Sequence, residues 1–107
     1  MEPTVEDIFG AGTTQTATTI SIPKANLPGL TVLAANTGEQ LAAGLALRME
    51  QGLTQTNFDS NINQNIYVSR GSNFTTFRGE NNANYTVRQL VFNFAELDEG
   101  DIDPDKY

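Results

Sequence analysis

Between residues 84 and 97 the chain reads Asn-Tyr-Thr-Val-Arg-Gln-Leu-Val-Phe-Asn-Phe-Ala-Glu-Leu. Tyr85, Val87 and Val91 fall on one parity; Leu90, Phe92 and Phe94 fall on the other. Alternation at period two with β-branched and aromatic residues predicts a strand. The apolar parity changes where Leu90, Val91 and Phe92 run consecutively. A strand covered on both faces at its centre, or one carrying a bulge there, has that pattern. The stretch 84–97 is therefore expected to be the central strand of a small sheet.

Upstream, 62–69 is a strand candidate with Ile62, Ile66 and Val68 on one parity, and 74–78 is another. The polar segments 70–73 and 79–84 read as turns. Together these strands predict an antiparallel meander. Residues 54–61 read as a polar connector. Thr37 and Gln40 have capping-box spacing, and Asn36 with Glu39 offers a second option. Leu41, Leu45 and Met49 then line one face, with Ala42 and Ala46 beside them. Leu41, Ala43, Leu45, Leu47 and Met49 also alternate as a strand would. The absence of β-branched residues and the capping box favour a helix over 38–51, although Gly44 costs it about 1 kcal/mol. Gly52 is a plausible stop. Ile20 and Ile22 suggest a short strand over 18–22 that Pro23 ends, and 30–33 suggests another after the Pro28-Gly29 turn. The expected fold is α+β: a four- or five-stranded, mainly antiparallel sheet with one helix packing Leu41, Leu45 and Met49 against it.

The ends differ from this body. Thr4 to Gly10 reads as one helical turn, with Thr4 as cap and Gly10 as stop. One turn is unstable alone, so Ile8 and Phe9 must dock on the body or on a neighbouring chain. The tail 98–107 has only Ile102 and Tyr107 as large apolar groups and reads as extended and mobile in isolation. The division is an N-terminal arm over 1–12, a β-rich body over 13–97 and an acidic tail over 98–107.

Charge sharpens the division. The net charge is −7. Residues 1–9 contribute −3 and residues 96–107 contribute −5, leaving +1 between them. A near-neutral body with acidic ends repels nucleic acid and anionic membranes and favours basic partner surfaces. Apolar residues make up 38% of the chain, below the ~45–50% usual for globular domains. Two readings follow: a small domain with long polar loops, or a chain that buries surface against partners.

The chemistry is bounded by absences. With neither His nor Cys, the Ser–His, Cys–His and His-bearing zinc arrangements are unavailable, as are disulfides. No serine is marked as a nucleophile, and the carboxylates crowd at the ends, where burial rarely separates their pKa values. The sequence Asp101-Ile102-Asp103-Pro104-Asp105 opens like a calcium loop, but Lys106 stands where that loop needs Gly. The start Gly10-Ala11-Gly12 lacks the third Gly of a dinucleotide fingerprint. Arg70-Gly71 and Arg78-Gly79 near Phe74 and Phe77 read as hairpin turns rather than a nucleic-acid groove. Tyr67, Phe74, Phe77 and Tyr85 offer a sugar-binding face, weakened by the lack of Trp. No apolar run approaches the ~18 residues of a membrane span. The acidic opening lacks a basic leader, so no secretory signal is expected, and the two Asn-X-Thr patterns read as chance. Neither catalytic residues, metal nor cofactor are expected.

The opening Met1-Glu2-Pro3-Thr4-Val5-Glu6-Asp7-Ile8-Phe9-Gly10, the Asn/Thr-rich β body and the closing Asp101-Ile102-Asp103-Pro104-Asp105-Lys106-Tyr107 resemble small virion structural proteins of tailed bacteriophages, of the cyanophage type. The likeness is one of style over most of the chain and carries no diagnostic motif. It implies a non-enzymatic head-decoration (cement) protein in the virion, a homo-oligomer with a trimer favoured, whose arms bind other capsid subunits. Without that context the expected location is cytoplasmic. The expected contacts are Ile8, Phe9, Ile102 and Tyr107 as apolar anchors, with Asp101, Asp103 and Asp105 pairing to basic partner residues. The competing expectation is a soluble module binding a glycan or a small partner protein through the 70–73 and 79–84 loops.

Overall fold

The helix over the Ala/Leu-rich segment starts where its capping box places it. In this computed structural model, which describes residues 2–96 and 100–107, Gln40 N donates to Thr37 Oγ1 at 3.1 Å and Thr37 N donates to Gln40 Oε1 at 3.0 Å. A short helix α1 (Val5–Phe9) precedes this helix, α2 (Gly38–Gly52). Helix α2 takes in Gly52, and Leu53 closes it by donating its N–H to Met49 O at 2.8 Å. The competing strand pattern loses because both orphan N–H groups at the cap are satisfied only in the helix. Gly44 has a packing reason. It is buried, and a Cβ there would lie 3.0 Å from Leu27 Cβ. The missing side chain lets Leu27, one of the few buried apolar residues, rest on the helix.

Helix α1 has its own capping box between Thr4 and Asp7, and Gly10 ends it at φ 100°. It does not stand free. It packs on α2, where Arg48 Nε and Nη2 donate to Ile8 O at 3.2 Å and Asp7 O at 3.1 Å. These are carbonyls at the open end of α1, where a cation is favoured. Gly52 lies beneath them, with room for a Cβ only 2.5 Å from Asp7 O.

The segment 54–61, expected as a connector, holds helix α3 (Gln55–Ser60), capped by Thr54 Oγ1 accepting from Asn57 N at 3.2 Å. Phe58, its single large apolar residue, stacks on Tyr67 with ring centroids 4.7 Å apart. One apolar residue in a polar stretch gives no periodicity to read.

The strands form ladders of two rather than one sheet. Strand β1 (Thr14–Gln15) pairs antiparallel with β2 (Ile20–Ser21). Strand β3 (Ile66–Arg70) pairs with β6 (Leu90–Phe94), and β4 (Phe74–Arg78) pairs with β5 (Ala83–Val87), both antiparallel. The last two ladders nest. Ile66 opposes Phe94 and Arg70 opposes Leu90; farther out, Phe74 opposes Val87 and Arg78 opposes Ala83. The predicted three-strand meander is thus one long hairpin, because the 70–73 segment interrupts a strand instead of reversing it. Three residues, 71–73, face two, 88–89, so the register slips by one. The slip falls beside the parity change in the sequence, and the break there divides the single strand expected over 84–97 into β5 and β6. Leu97, its expected last residue, lies outside the described residues. Gly71 N donates to Gln89 O at 3.0 Å at the break. The hairpin turns through Gly79 and Asn82 at φ 84° and 47°, with Asn82 N donating to Gly79 O.

Two other expectations give way. Residues 30–33 form no strand; Val32 and Leu33 are exposed and Asn36 holds the segment by accepting from Leu33 N and donating to Thr31 O. The strand expected over 62–69 begins only at Ile66, and Ile62 is 90% exposed. The α+β class stands. No helix among the described residues is long and apolar enough to cross a membrane.

Gly52→Ala forces a methyl into the α1 backbone. We expect a loss of about 1–3 kcal/mol, the range for overpacking, read as a lowered melting temperature with faster amide exchange over 5–10.

Candidate assembly surface

The inner half of the hairpin is tied to the helices. Val68 N donates to Leu53 O at 2.9 Å, and Ala95 N donates to Asn65 O at 2.8 Å. The buried Gln64 donates from Nε2 to Thr54 O at 3.0 Å and Ile66 O at 2.9 Å. At the end of β3 the Arg70 guanidinium grips Glu50 of α2 with two nitrogens, Nε to Oε2 and Nη2 to Oε1, the latter at 2.8 Å.

Beyond Arg70 the support ends. Among the described residues no other element packs closely on the β4–β5 ribbon. Pleating and register set Phe74, Thr76 and Arg78 with Val87, Tyr85 and Ala83 on one face, and Thr75 and Phe77 with Thr86 and Asn84 on the other. Phe74, Phe77 and Tyr85 are 50%, 66% and 48% exposed. The Arg78 guanidinium sits 5.4 Å over the Tyr85 ring, a cation–π contact. A two-stranded ribbon is marginally stable in water, and one with aromatics on both faces has area to bury.

The whole molecule carries this excess. Its radius of gyration is 16.4 Å, against about 13 Å for a compact domain of this length. Its accessible surface is 7894 Å², about 2,000 Å² more than a folded monomer of its mass exposes. Among the described residues only Leu27, Leu53 and Val68 are buried large apolar residues, and none of them is wholly shielded from solvent.

The predicted contact residues divide. Ile8 and Phe9 are half-buried in the chain itself. Ile8 and Tyr107 line one cavity of about 130 Å³ with Pro3, Leu53 and Ile66. The two ends of the chain therefore meet on the body, which differs from free arms. Of the tail expected over 98–107, residues 98–99 lie outside the described residues. The rest turns through a 3₁₀ helix (Pro104–Lys106) and sets Tyr107 edge-on to Phe94, with ring centroids 5.8 Å apart. Two aromatic rings at the end of an acidic tail pack more favourably together than apart in water. Asp101, Ile102 and Asp105 stay exposed and Asp103 is half-buried. Asp101 and Asp103 also accept from the backbone N–H of Ile102 at 2.7 Å and Asp105 at 3.1 Å.

An open hollow of about 510 Å³ lies along the inner hairpin, lined by Phe58, Tyr67, Phe92, Phe94, Ala95 and Ile102. The sequence reading marked Ile102, and Tyr67 as part of a sugar-binding face, but missed Phe58, Phe92 and Phe94 beside them, and it gave the ribbon aromatics only a minor role. The signal available was Phe74, Phe77 and Tyr85 in strands lacking an apolar partner segment. Comparison of the chain with protein families, curated proteins and solved structures finds no match.

Two titrations test the local geometry. Hydrogen bonds from Arg70 hold the Glu50 carboxyl below its ordinary 4.5; partial burial opposes this and the charge of Arg70 adds to it. A depressed carboxyl contributes stability above its unfolded pKa and loses it as pH falls through the folded value. The melting-temperature gap between wild type and Glu50→Gln should therefore close below pH 4.5. Burial pushes the Tyr107 phenol above its ordinary 10.0, and the Glu96 carboxylate adds to the shift. Tyr107 Oη and Glu96 Oε2 are both shielded without a well-formed hydrogen bond, so burial dominates. A raised pKa gives stability that is full below pH 10 and lost above it. Absorbance titration of wild type against Tyr107→Phe should assign to Tyr107 an ionisation above pH 10, with loss of its contact to Phe94.

Proposed function

We propose that this chain is a non-enzymatic assembly subunit whose β4–β5 ribbon docks on a neighbouring protein, most concretely a tailed-phage virion component such as a capsid decoration (cement) protein. The observation that carries the reading is the ribbon itself: exposed aromatics on a two-stranded projection on which, among the described residues, no other helix or strand packs closely. An extra ~2,000 Å² of exposed surface is the scale of a specific interface. The partner contacts are the ribbon aromatics together with Asp101, Ile102, Asp103 and Asp105. Ile8, Phe9 and Tyr107 act indirectly, by holding the ends of the chain on the body.

The chemistry supports contact over catalysis. The chain has no His or Cys, and the clearest carboxylate shift, at Glu50, comes from an ion pair that fastens the ribbon. The phage assignment rests on the stylistic likeness of the two ends. The virion follows as location, protein subunits as partners and a homo-oligomer as state.

The test is co-sedimentation of the purified chain with capsids of a tailed phage. Phe77→Ser combined with Tyr85→Ser should leave the melting temperature within about 0.5 kcal/mol of wild type, since both side chains are exposed, while abolishing capsid binding. Unchanged binding would remove the ribbon from the function. A monomer that ignores capsids and binds a glycan would make the chain a binding module.

A further inference from the structure

We infer that the ribbon of one copy docks in the aromatic hollow of a second copy, so that the chain assembles head to tail. The inference rests on the assembly reading above and names the partner as this same chain.

Charge selects the partner. Residues 71–89, the part of the hairpin beyond the Arg70 root, carry Arg78 and Arg88 against Glu80, a net +1. The rest of the chain then carries −8, completing the total of −7. The molecule is a basic projection on a strongly acidic body. Arg70 is already paired with Glu50, which leaves the exposed Arg78 and Arg88 toward the distal half. The chain's own body is the acidic surface that matches them.

Shape selects the receptor. The hollow is lined by four aromatic rings and Ile102, and Ile102 lies between Asp101 and Asp103. An aromatic hollow that also holds Asn93, entered beside the tail segment that carries the exposed Asp101, suits a wedge that presents Phe77 on one side and Tyr85 with Arg78 on the other. A second depression, about 340 Å³ between residues 28–33 and α2, offers Leu30, Leu33 and Leu47 but no aromatic ring in its lining. It gives the aromatic tip no ring to pack against.

Area selects the symmetry. A standard interface takes about 800 Å² from each partner. In a head-to-tail assembly each copy gives two different patches, ribbon and hollow, and loses about 1,600 Å². That accounts for most of the excess of about 2,000 Å². A two-fold dimer through one shared patch would leave more than half of it exposed. Heterologous contacts close into rings when the rotation allows.

The test uses two variants that alter exposed residues only. The tip variant combines Phe77→Ser and Tyr85→Ser; the hollow variant combines Ala95→Glu and Ile102→Glu. Light scattering should find the wild type oligomeric and each variant monomeric, with unchanged circular dichroism. Mixing the two should restore a dimer and nothing larger, because only one intact tip and one intact hollow remain. Raising salt from 0.05 to 0.5 M should weaken wild-type assembly at least tenfold. A monomeric wild type overturns the inference, as does a mixture that stays monomeric or a variant that stays fully assembled. Capsid co-sedimentation of the wild type is scored separately, so the self-docking can fail while the assembly reading survives.

Discussion

Six consecutive residues at the C-terminal end of α2, 48–53, fasten the molecule together. Arg48 holds the carbonyls that end α1, and Gly52 lets that backbone lie flush against the helix. Glu50 pairs with Arg70 at the root of the ribbon, and Leu53 gives its carbonyl to β3. Leu53 itself is 4% exposed. A chain with so little apolar core cannot rely on burial to orient its parts. Directional polar contacts at one helix end take over that role, and three elements, α1, α2 and β3, meet there.

Legibility followed the range of the forces. Capping boxes act over three residues, so Thr4/Asp7 and Thr37/Gln40 could be read in advance, and so could the parity change beside Leu90. Strand pairing acts over tens of residues. Nothing local reveals that β3 skips its sequence neighbour β4 and pairs with β6. Helix α3 was hidden because Thr54 and the distant Gln64 hold it rather than a hydrophobic stripe. The docked ends were hidden for a similar reason: Ile8 and Tyr107 are far apart in sequence and share one cavity through long-range packing. The ribbon aromatics were visible as residues, but their exposure was not, since an alternating strand looks the same whether or not a sheet covers it.

Charge and packing point the same way. In the proposed assembly a body carrying −8 repels copies of itself at long range, and the basic residues of the projecting hairpin offset that repulsion only in one orientation. Electrostatics of this kind direct encounter and register more than they add affinity. In the proposed assembly the ribbon aromatics would supply the contact energy once water is expelled.

The one-residue slip between 71–73 and 88–89 has a mechanical consequence. A continuous ladder transmits bending along its whole length; a break spanned at Gly71 concentrates it at one joint. The outer ribbon can swing there while Arg70 and Glu50 keep the root in place. A projection jointed in this way accommodates neighbours set at slightly different angles, as curved or imperfectly symmetric lattices require, with no change in the fold that carries it.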